Sequence, residues 1–261
     1  MEKKAFYRVV GMAAAALGAV VLCFALAFGS REKPAAETVP ETTVAETTEA
    51  AVVETTQATE AKSSVDPESW EMILVNPWNY LPEDFEVELQ EIEEGHQVDK
   101  RIAAQLEAML RAARKEGLEP LVVSSYRTHQ KQDDLHNNRI KRFMEDGLSL
   151  DDAIVEAGKW VAVPGTSEHQ TGLAMDIVAE SFPVLEAEQE NTPEQQWLME
   201  NSWRFGFIMR YPSDKSDITG IYYEPWHYRY VGGEAAEEIY QQGICLEEYL
   251  ERLTGKLTPK G

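Results

Sequence analysis

Cysteine is nearly missing from this chain of 261 residues, where Cys23 and Cys245 are the whole supply. Cys23 lies in an apolar run, so Cys245 has no intrachain partner, and a disulfide framework and a thiolate metal cage are both excluded. Bulky Val21 and Leu22 before Cys23, and Phe24 after it, also argue against a lipid-modified cysteine. Positive charge is scarce: 24 Lys and Arg stand against 46 Asp and Glu, for a net charge of −22. Such a surface repels phosphate, so neither nucleic acid nor an anionic lipid face is an expected partner. Aromatic residues are absent from 31–68, a stretch of Glu, Thr, Ala, Val and Pro. That segment cannot bury enough surface to offset its chain entropy and is expected to be a disordered linker. No internal repeat is present.

One long apolar run exists, over 9–30, and it carries no charge. It is long enough for a helix to cross a bilayer core of about 30 Å. Lys3, Lys4 and Arg8 outweigh Arg31 and Lys33 on the other flank, which orients the N-terminus to the cytoplasm and exports the rest. Residues 1–30 are therefore expected to be a cytoplasmic tip and transmembrane anchor, with the following domain extracellular. The competing reading is a signal peptide cleaved after Ala25-Leu26-Ala27. The linker would span about 35 Å as a random coil. Residues 69–261 remain for one globular domain, ample for a core.

Within that domain, Val98, Ile102, Leu106, Met109, Leu110 and Ala113 recur at helical spacing up to Gly117. LVVSSY (121–126) reads as a β-branched strand, and 129–145 as a polar helix with Leu135, Ile140 and Phe143 inward. Ser149 starts another helix, which Gly158 is expected to stop. TGLAMDIV (171–178) alternates as a strand, with Leu173, Met175 and Ile177 on one face and Gly172, Ala174 and Asp176 on the other. Thr192-Pro193 with Gln195 opens a capped helix running to about Trp203, and Gly206 ends it. FIMRYP (207–212) and WHYRYV (226–231) give two more strands, and two short helices close the chain. Helices interleave with about four strands, so the expected class is α+β: a single domain with a small, mainly antiparallel sheet flanked by helices.

Two stretches carry chemistry: SEHQTGLAMDI (167–177) and EPWHYRY (224–230). A lone His or a strand Asp is ordinarily a satisfied structural group. Here Asp176 shares its strand face with Gly172 and Ala174, which leaves room beside a carboxylate that must be paired or bound to a cation if buried. Two histidines and one carboxylate form a ligand set used by catalytic zinc. His169 and Asp176 are an odd number of residues apart, as are Glu224 and His227, and odd separations in an unbroken strand point to opposite faces. Convergence requires a bend in each segment, with Gly172 and Pro225 the candidate positions. His169 is thus expected in a turn before its strand, and Glu224 just before the strand that carries His227. Trp226 and Tyr228 read as core or as cleft wall. His96, His129 and His136 show no partner pattern and read as surface or packing residues.

The pattern SxHxxGxAxD followed by ExxH resembles that of the D-Ala-D-Ala metallopeptidases, and most of all the VanY-type D-alanyl-D-alanine carboxypeptidases. The resemblance extends from LVNPWNYLPEDF (74–85) through SSYRTHQKQ (124–132), FIMRYP (207–212) and TGIYYEPWHYRYVG (219–232) to LEEY (246–249). It implies one zinc ion per domain held by His169, Asp176 and His227 on the sheet face, with Glu224 as general base for the attacking water. It also implies Arg127 as the partner of the substrate's free carboxylate, and Gln132 and Ser167 as further hydrogen-bonding residues for substrate. The implied activity is removal of the terminal D-Ala from peptidoglycan stem peptides by a monomeric catalytic domain tethered to the membrane. An L,D-carboxypeptidase acting on tetrapeptide stems and a non-catalytic cell-wall binding module are the alternatives.

Overall fold

The computed structural model describes residues 63–93 and 95–257. The expected anchor, and all but the end of the expected linker, lie outside the described residues. Among the described residues no helix is long and apolar enough to cross a membrane. Residues 63–68, which were expected to be linker, are held against the domain. Ser64 donates to Glu234 from both its backbone nitrogen and its Oγ, at 3.0 and 2.7 Å. The Ser63 hydroxyl meets that of Tyr249 at 3.2 Å, and Val65 packs on the C-terminal core. Among residues 63–68, Val65 supplies the apolar contact.

A short hairpin comes first, β1 (Leu89–Glu91) with β2 (Gln97–Asp99). There follow α1 (Ala103–Lys115), β3 (Pro120–Ser124), α2 (His129–Glu145), α3 (Leu150–Trp160), β4 (Ala174–Ala179), α4 (Pro193–Asn201), β5 (Phe207–Tyr211), the single turn α5 (Ser216–Thr219), β6 (Glu224–Tyr230), α6 (Gly233–Gln242) and α7 (Leu246–Thr254). β3, β4, β6 and β5 form one sheet in that order, antiparallel throughout. This is the α+β architecture expected from the sequence. On one side of the sheet Met175, Ile177, Phe207, Tyr228 and Tyr230 pack against Leu106, Met109 and Leu110 of α1 and Leu198 of α4. The period-2 alternation of strands sends Ile208 to a second cluster with Ile239 of α6 and Leu246 and Tyr249 of α7.

Four local expectations change. The α1 pattern continues back to Val98, but Val98 and Asp99 pair with Gln90 and Leu89 as β2. Asp99 ends that strand by accepting from the backbone nitrogen and guanidinium of Arg101, and α1 starts only at Ala103. On α2 the buried residues are Gln132 and His136, while Leu135, Ile140 and Phe143 are half-buried. The polar pair faces inward because it satisfies backbone carbonyls after α3: Gln132 Nε2 donates to Ala162 and His136 Nδ1 to Val161, at 2.6 and 2.7 Å. Gly158 does not stop α3, which runs two residues further and ends where Val161 turns extended. The caps Ser149 and Thr192 stand as expected, each accepting from the nitrogen three residues on.

The fourth change is the start of β4, which begins at Ala174 rather than Thr171. A 3₁₀ turn (Glu168–Thr171) precedes it, closed by Gly172 at φ 73°. A Cβ on Gly172 would lie 2.8 Å from the backbone nitrogen of Asp99. Gly172→Ala is therefore expected to destabilise the domain by about 2–5 kcal/mol, combining left-handed backbone strain with a backbone clash. Equilibrium denaturation should show this as a lower midpoint at unchanged slope. A midpoint equal to the parent's would mean that the turn is not under this constraint.

Candidate metal centre

Three strands bring the candidate residues abreast. Ser124 of β3 pairs with Asp176 of β4, and Asp176 in turn pairs with His227 of β6. His169 arrives from the 3₁₀ turn, as expected of a residue that must share a face with Asp176. The second bend takes a different form. Glu224 is the first residue of β6 rather than a residue outside it, and the register shifts inside the strand. Met209 pairs with Tyr228 but Tyr211 with Glu224, so four steps of β6 cover two of β5. This bulge turns Glu224 and His227 to one side.

The result is a tight cluster. His169 Nε2 lies 3.3 Å from Asp176 Oδ2, and His227 Nδ1 lies 3.1 Å from Asp176 Oδ1 and 3.7 Å from Glu224 Oε2. The two imidazoles stand nearly perpendicular with centroids 4.9 Å apart. One ligand atom from each of His169, Asp176 and His227 falls within 4.8 Å of the others, and all three residues are buried. His169 Nδ1 donates to the Ser125 carbonyl at 2.9 Å, so its Nε2 lone pair faces the cluster. The donor set and its geometry fit a tetrahedral divalent ion with one position left for water or substrate.

Electrostatics point the same way. Burial alone would raise the Asp176 pKa, yet His169 and His227 hold the carboxyl well below its usual range. Burial, helped by Arg127, lowers His169 and keeps it a neutral donor. Burial also opposes charge on His227, but hydrogen bonds to Asp176 and Glu168 outweigh it and push the imidazole up to about 9. This cradle draws positive charge toward Asp176, as it would a metal ion. Glu224 behaves oppositely. Burial pushes its carboxyl up to about 8, with His227 resisting and the negative Asp176 adding to the rise.

These groups line a cleft of about 210 Å³ together with Arg127, Ser167, Arg139, Trp160, Tyr211 and Trp226. Arg127 follows β3, and its Nη2 stands 3.8 Å from Asp176 Oδ2. Nη2 also donates to Ser124 Oγ at 2.8 Å, and Nη1 to Gln132 Oε1 at 2.7 Å. Gln132 itself is buried and does not line the cleft, since its amide is committed to Arg127 and Ala162. Tyr228 lies in the core, where its hydroxyl donates to Gln195. His96 is half-buried against Ser125 and His129 is exposed, both away from the cluster. Sequence reasoning misses Tyr211, whose ring sits 4.7 Å from that of His227, and the wall residues Arg139 and Trp160. No quoted motif marks Arg139 or Trp160, whereas Tyr211 lies within FIMRYP (207–212) without a role being read for it. Sequence reasoning also passes over Glu168, although that residue lies inside the quoted motif.

A family model described as VanY: D-alanyl-D-alanine carboxypeptidase matches residues 95–233. Over 217 residues the chain is 48% identical to a D-alanyl-D-alanine carboxypeptidase of Enterococcus faecalis, an alignment covering 83% of this chain and 77% of that protein. Among solved structures, VanYB in complex with D-alanine-D-alanine superposes with a TM-score of 0.66 at 48% identity, over 72% of this chain and 100% of the other. A vancomycin resistance D,D-pentapeptidase VanY mutant in complex with Zn(II) does so with a TM-score of 0.64, again at 48% identity, over 70% and 99%. The chain belongs to the VanY family of D-alanyl-D-alanine carboxypeptidases.

Proposed function

We propose that this protein is a zinc-dependent D,D-carboxypeptidase that removes the terminal D-Ala from peptidoglycan stem peptides. The observation that carries the reading is the presence in one cleft of the His169–Asp176–His227 cluster with Glu224 at 3.7 Å from His227 and Arg127 at 3.8 Å from Asp176. Zinc held by those three residues would act as a Lewis acid on the scissile carbonyl and bring the pKa of a water toward about 7. Glu224 is the base: its side chain is 14% exposed, so it faces the cleft yet is largely dry. It takes a proton from the attacking water and returns it to the departing D-alanine amine. Arg127 binds the substrate's terminal carboxylate through a guanidinium fork that Ser124 and Gln132 already hold in place. Gln132 thus serves substrate through Arg127, while Ser167, which lines the cleft, remains a direct hydrogen-bonding candidate.

Arg127→Lys keeps the charge but loses the fork. We expect kcat/KM to fall about 10–100-fold, mostly through KM, as for loss of a hydrogen bond to a charged group. Zinc affinity should stay at the parent's value. Steady-state kinetics that leave KM untouched would reject the carboxylate-binding role. The reaction itself is tested by presenting the purified chain with pentapeptide and tetrapeptide stems and measuring released D-Ala. Release from the pentapeptide alone is the expected result. Release from the tetrapeptide alone would make the protein an L,D-carboxypeptidase, and binding without release a wall-binding module.

The charge-free run 9–30 and the polar stretch after it support a single-pass anchor and tether that hold the domain outside the membrane. Fractionation of cells before and after surface proteolysis tests this. Full-length protein in the membrane fraction, cut only from outside, is expected, whereas processed protein in the medium would favour a cleaved leader.

A further inference from the structure

Glu168 precedes the zinc-ligand candidate His169 and borders the cleft, but its carboxylate is held inside the protein. It is fully buried, and Oε1 accepts from Arg210 Nε and from Arg229 Nη1, each at 2.7 Å. Arg210 spends its two terminal nitrogens on Glu247, at 2.9 and 2.6 Å. Arg229 Nη2 donates to the carbonyls of Glu71 and Ile73, both at 2.8 Å. Two carboxylates and two guanidiniums are thus enclosed with no access to water. Desolvating such ions costs several kcal/mol each, and a well-packed apolar set is often at least as stable. Fold stability alone is a poor reason for the cluster.

Its remaining contact supplies a better one. Glu168 Oε2 faces His227 Nε2 at 3.4 Å. A neutral imidazole has one protonated nitrogen and one lone pair, and the hydrogen bond at one nitrogen decides what the other offers. An ionised carboxylate only accepts, so Glu168 calls for the proton on Nε2. That leaves the lone pair on Nδ1, the nitrogen nearest Asp176 Oδ1 and Glu224 Oε2. His169 is set the other way round, because the Ser125 carbonyl holds its Nδ1–H and frees Nε2. The two rings would therefore bind through different nitrogens, each chosen by the partner on its far side. Arg210 and Arg229 keep Glu168 ionised and fix the plane of its carboxylate.

We propose that Glu168, clamped by Arg210 and Arg229, is a positioning residue that fixes the Nε2–H tautomer of His227 and so presents Nδ1 to the metal. The assignment rests on the reading above in which His227 is a zinc ligand. Chelator competition on the purified full chain gives the zinc dissociation constant, and ¹⁵N-histidine NMR of the zinc-loaded protein gives the protonated nitrogen. Glu168→Gln is expected to weaken zinc binding about 10–100-fold, as loss of an outer-shell partner does, and to shift the His227 Nε2–H resonance. Glu247→Gln also strips a partner from Arg210 but does not touch His227, so it should lower the melting temperature and leave both readouts at parent values. A folded Glu168→Gln protein with parental zinc affinity and resonance overturns the proposal. Should that variant not fold, the parent decides. Nε2–H on His227 with Nδ1 on zinc supports the proposal, and the reverse arrangement overturns it while leaving the zinc reading intact. A parent chain that binds no zinc at all overturns the zinc reading, and this assignment with it.

Discussion

Glu224→Gln is expected to lower kcat/KM for D-Ala release by about 10²–10⁴-fold, the usual contribution of a positioned general base. The amide has the shape of the carboxylate and none of its basicity. Because Glu224 is not one of the three clustered ligands, zinc affinity should remain that of the parent. Retention of zinc together with loss of turnover separates a proton-transfer role from a structural one. A variant that hydrolyses as fast as the parent would falsify the mechanism. The pH profile supplies a second check. The proposed base acts only when ionised, so kcat/KM is expected to be high above the Glu224 pKa and lost as pH falls through it. Burial pushes that pKa up to about 8, whereas a cation beside the carboxylate favours the charged form and lowers it. The acid limb is therefore expected below pH 8.

Metal removal should have the other large effect. A chelator is expected to abolish hydrolysis and added zinc to restore it. Stability should follow, because a ligand that binds only the folded state adds about 4 kcal/mol at a free concentration a thousandfold above its dissociation constant. For a domain of this size that corresponds to roughly 8–16 °C in melting temperature. Asp176→Ala should remove both the activity and the zinc-dependent shift. It deletes the one negatively charged member of the proposed ligand set and leaves His169, His227 and Arg127 without the carboxylate that each approaches. If calorimetry of Asp176→Ala still showed the full zinc-dependent rise, the ligand set would have to be reassigned.

Much of this site is legible in the order of residues. The candidate ligands His169, Asp176 and His227, the proposed base Glu224 and the proposed carboxylate partner Arg127 all come from two motifs and one strand end, and they lie in one cleft. The need for a bend after His169 follows from side-chain parity alone, and Gly172 in the left-handed region meets it. Elements stabilised by neighbours in the chain are legible too. The caps at Ser149 and Thr192 act over three residues, and α2 spans the range its pattern marks.

What the primary structure leaves open is whatever depends on a partner far along the chain. The hairpin that takes Val98 and Asp99 out of α1 is decided by pairing with Leu89 and Gln90 and by the Gly172 carbonyl. The bulge that turns Glu224 beside His227 appears only when β6 is laid against β5. Gln132 reads as a substrate contact until α2 is docked, when its amide is seen to serve Arg127 and Ala162. Glu168 meets Arg210 and Arg229 from 42 and 61 positions away, and no local period encodes a buried charge pair. The amino-acid sequence by itself determined which chemical groups the protein has and the turns that aim them, because backbone sterics and side-chain parity act between near neighbours. The tertiary structure alone decided which of those groups are dry, paired and facing one another, because burial and hydrogen bonding between distant segments exist only once the sheet is assembled.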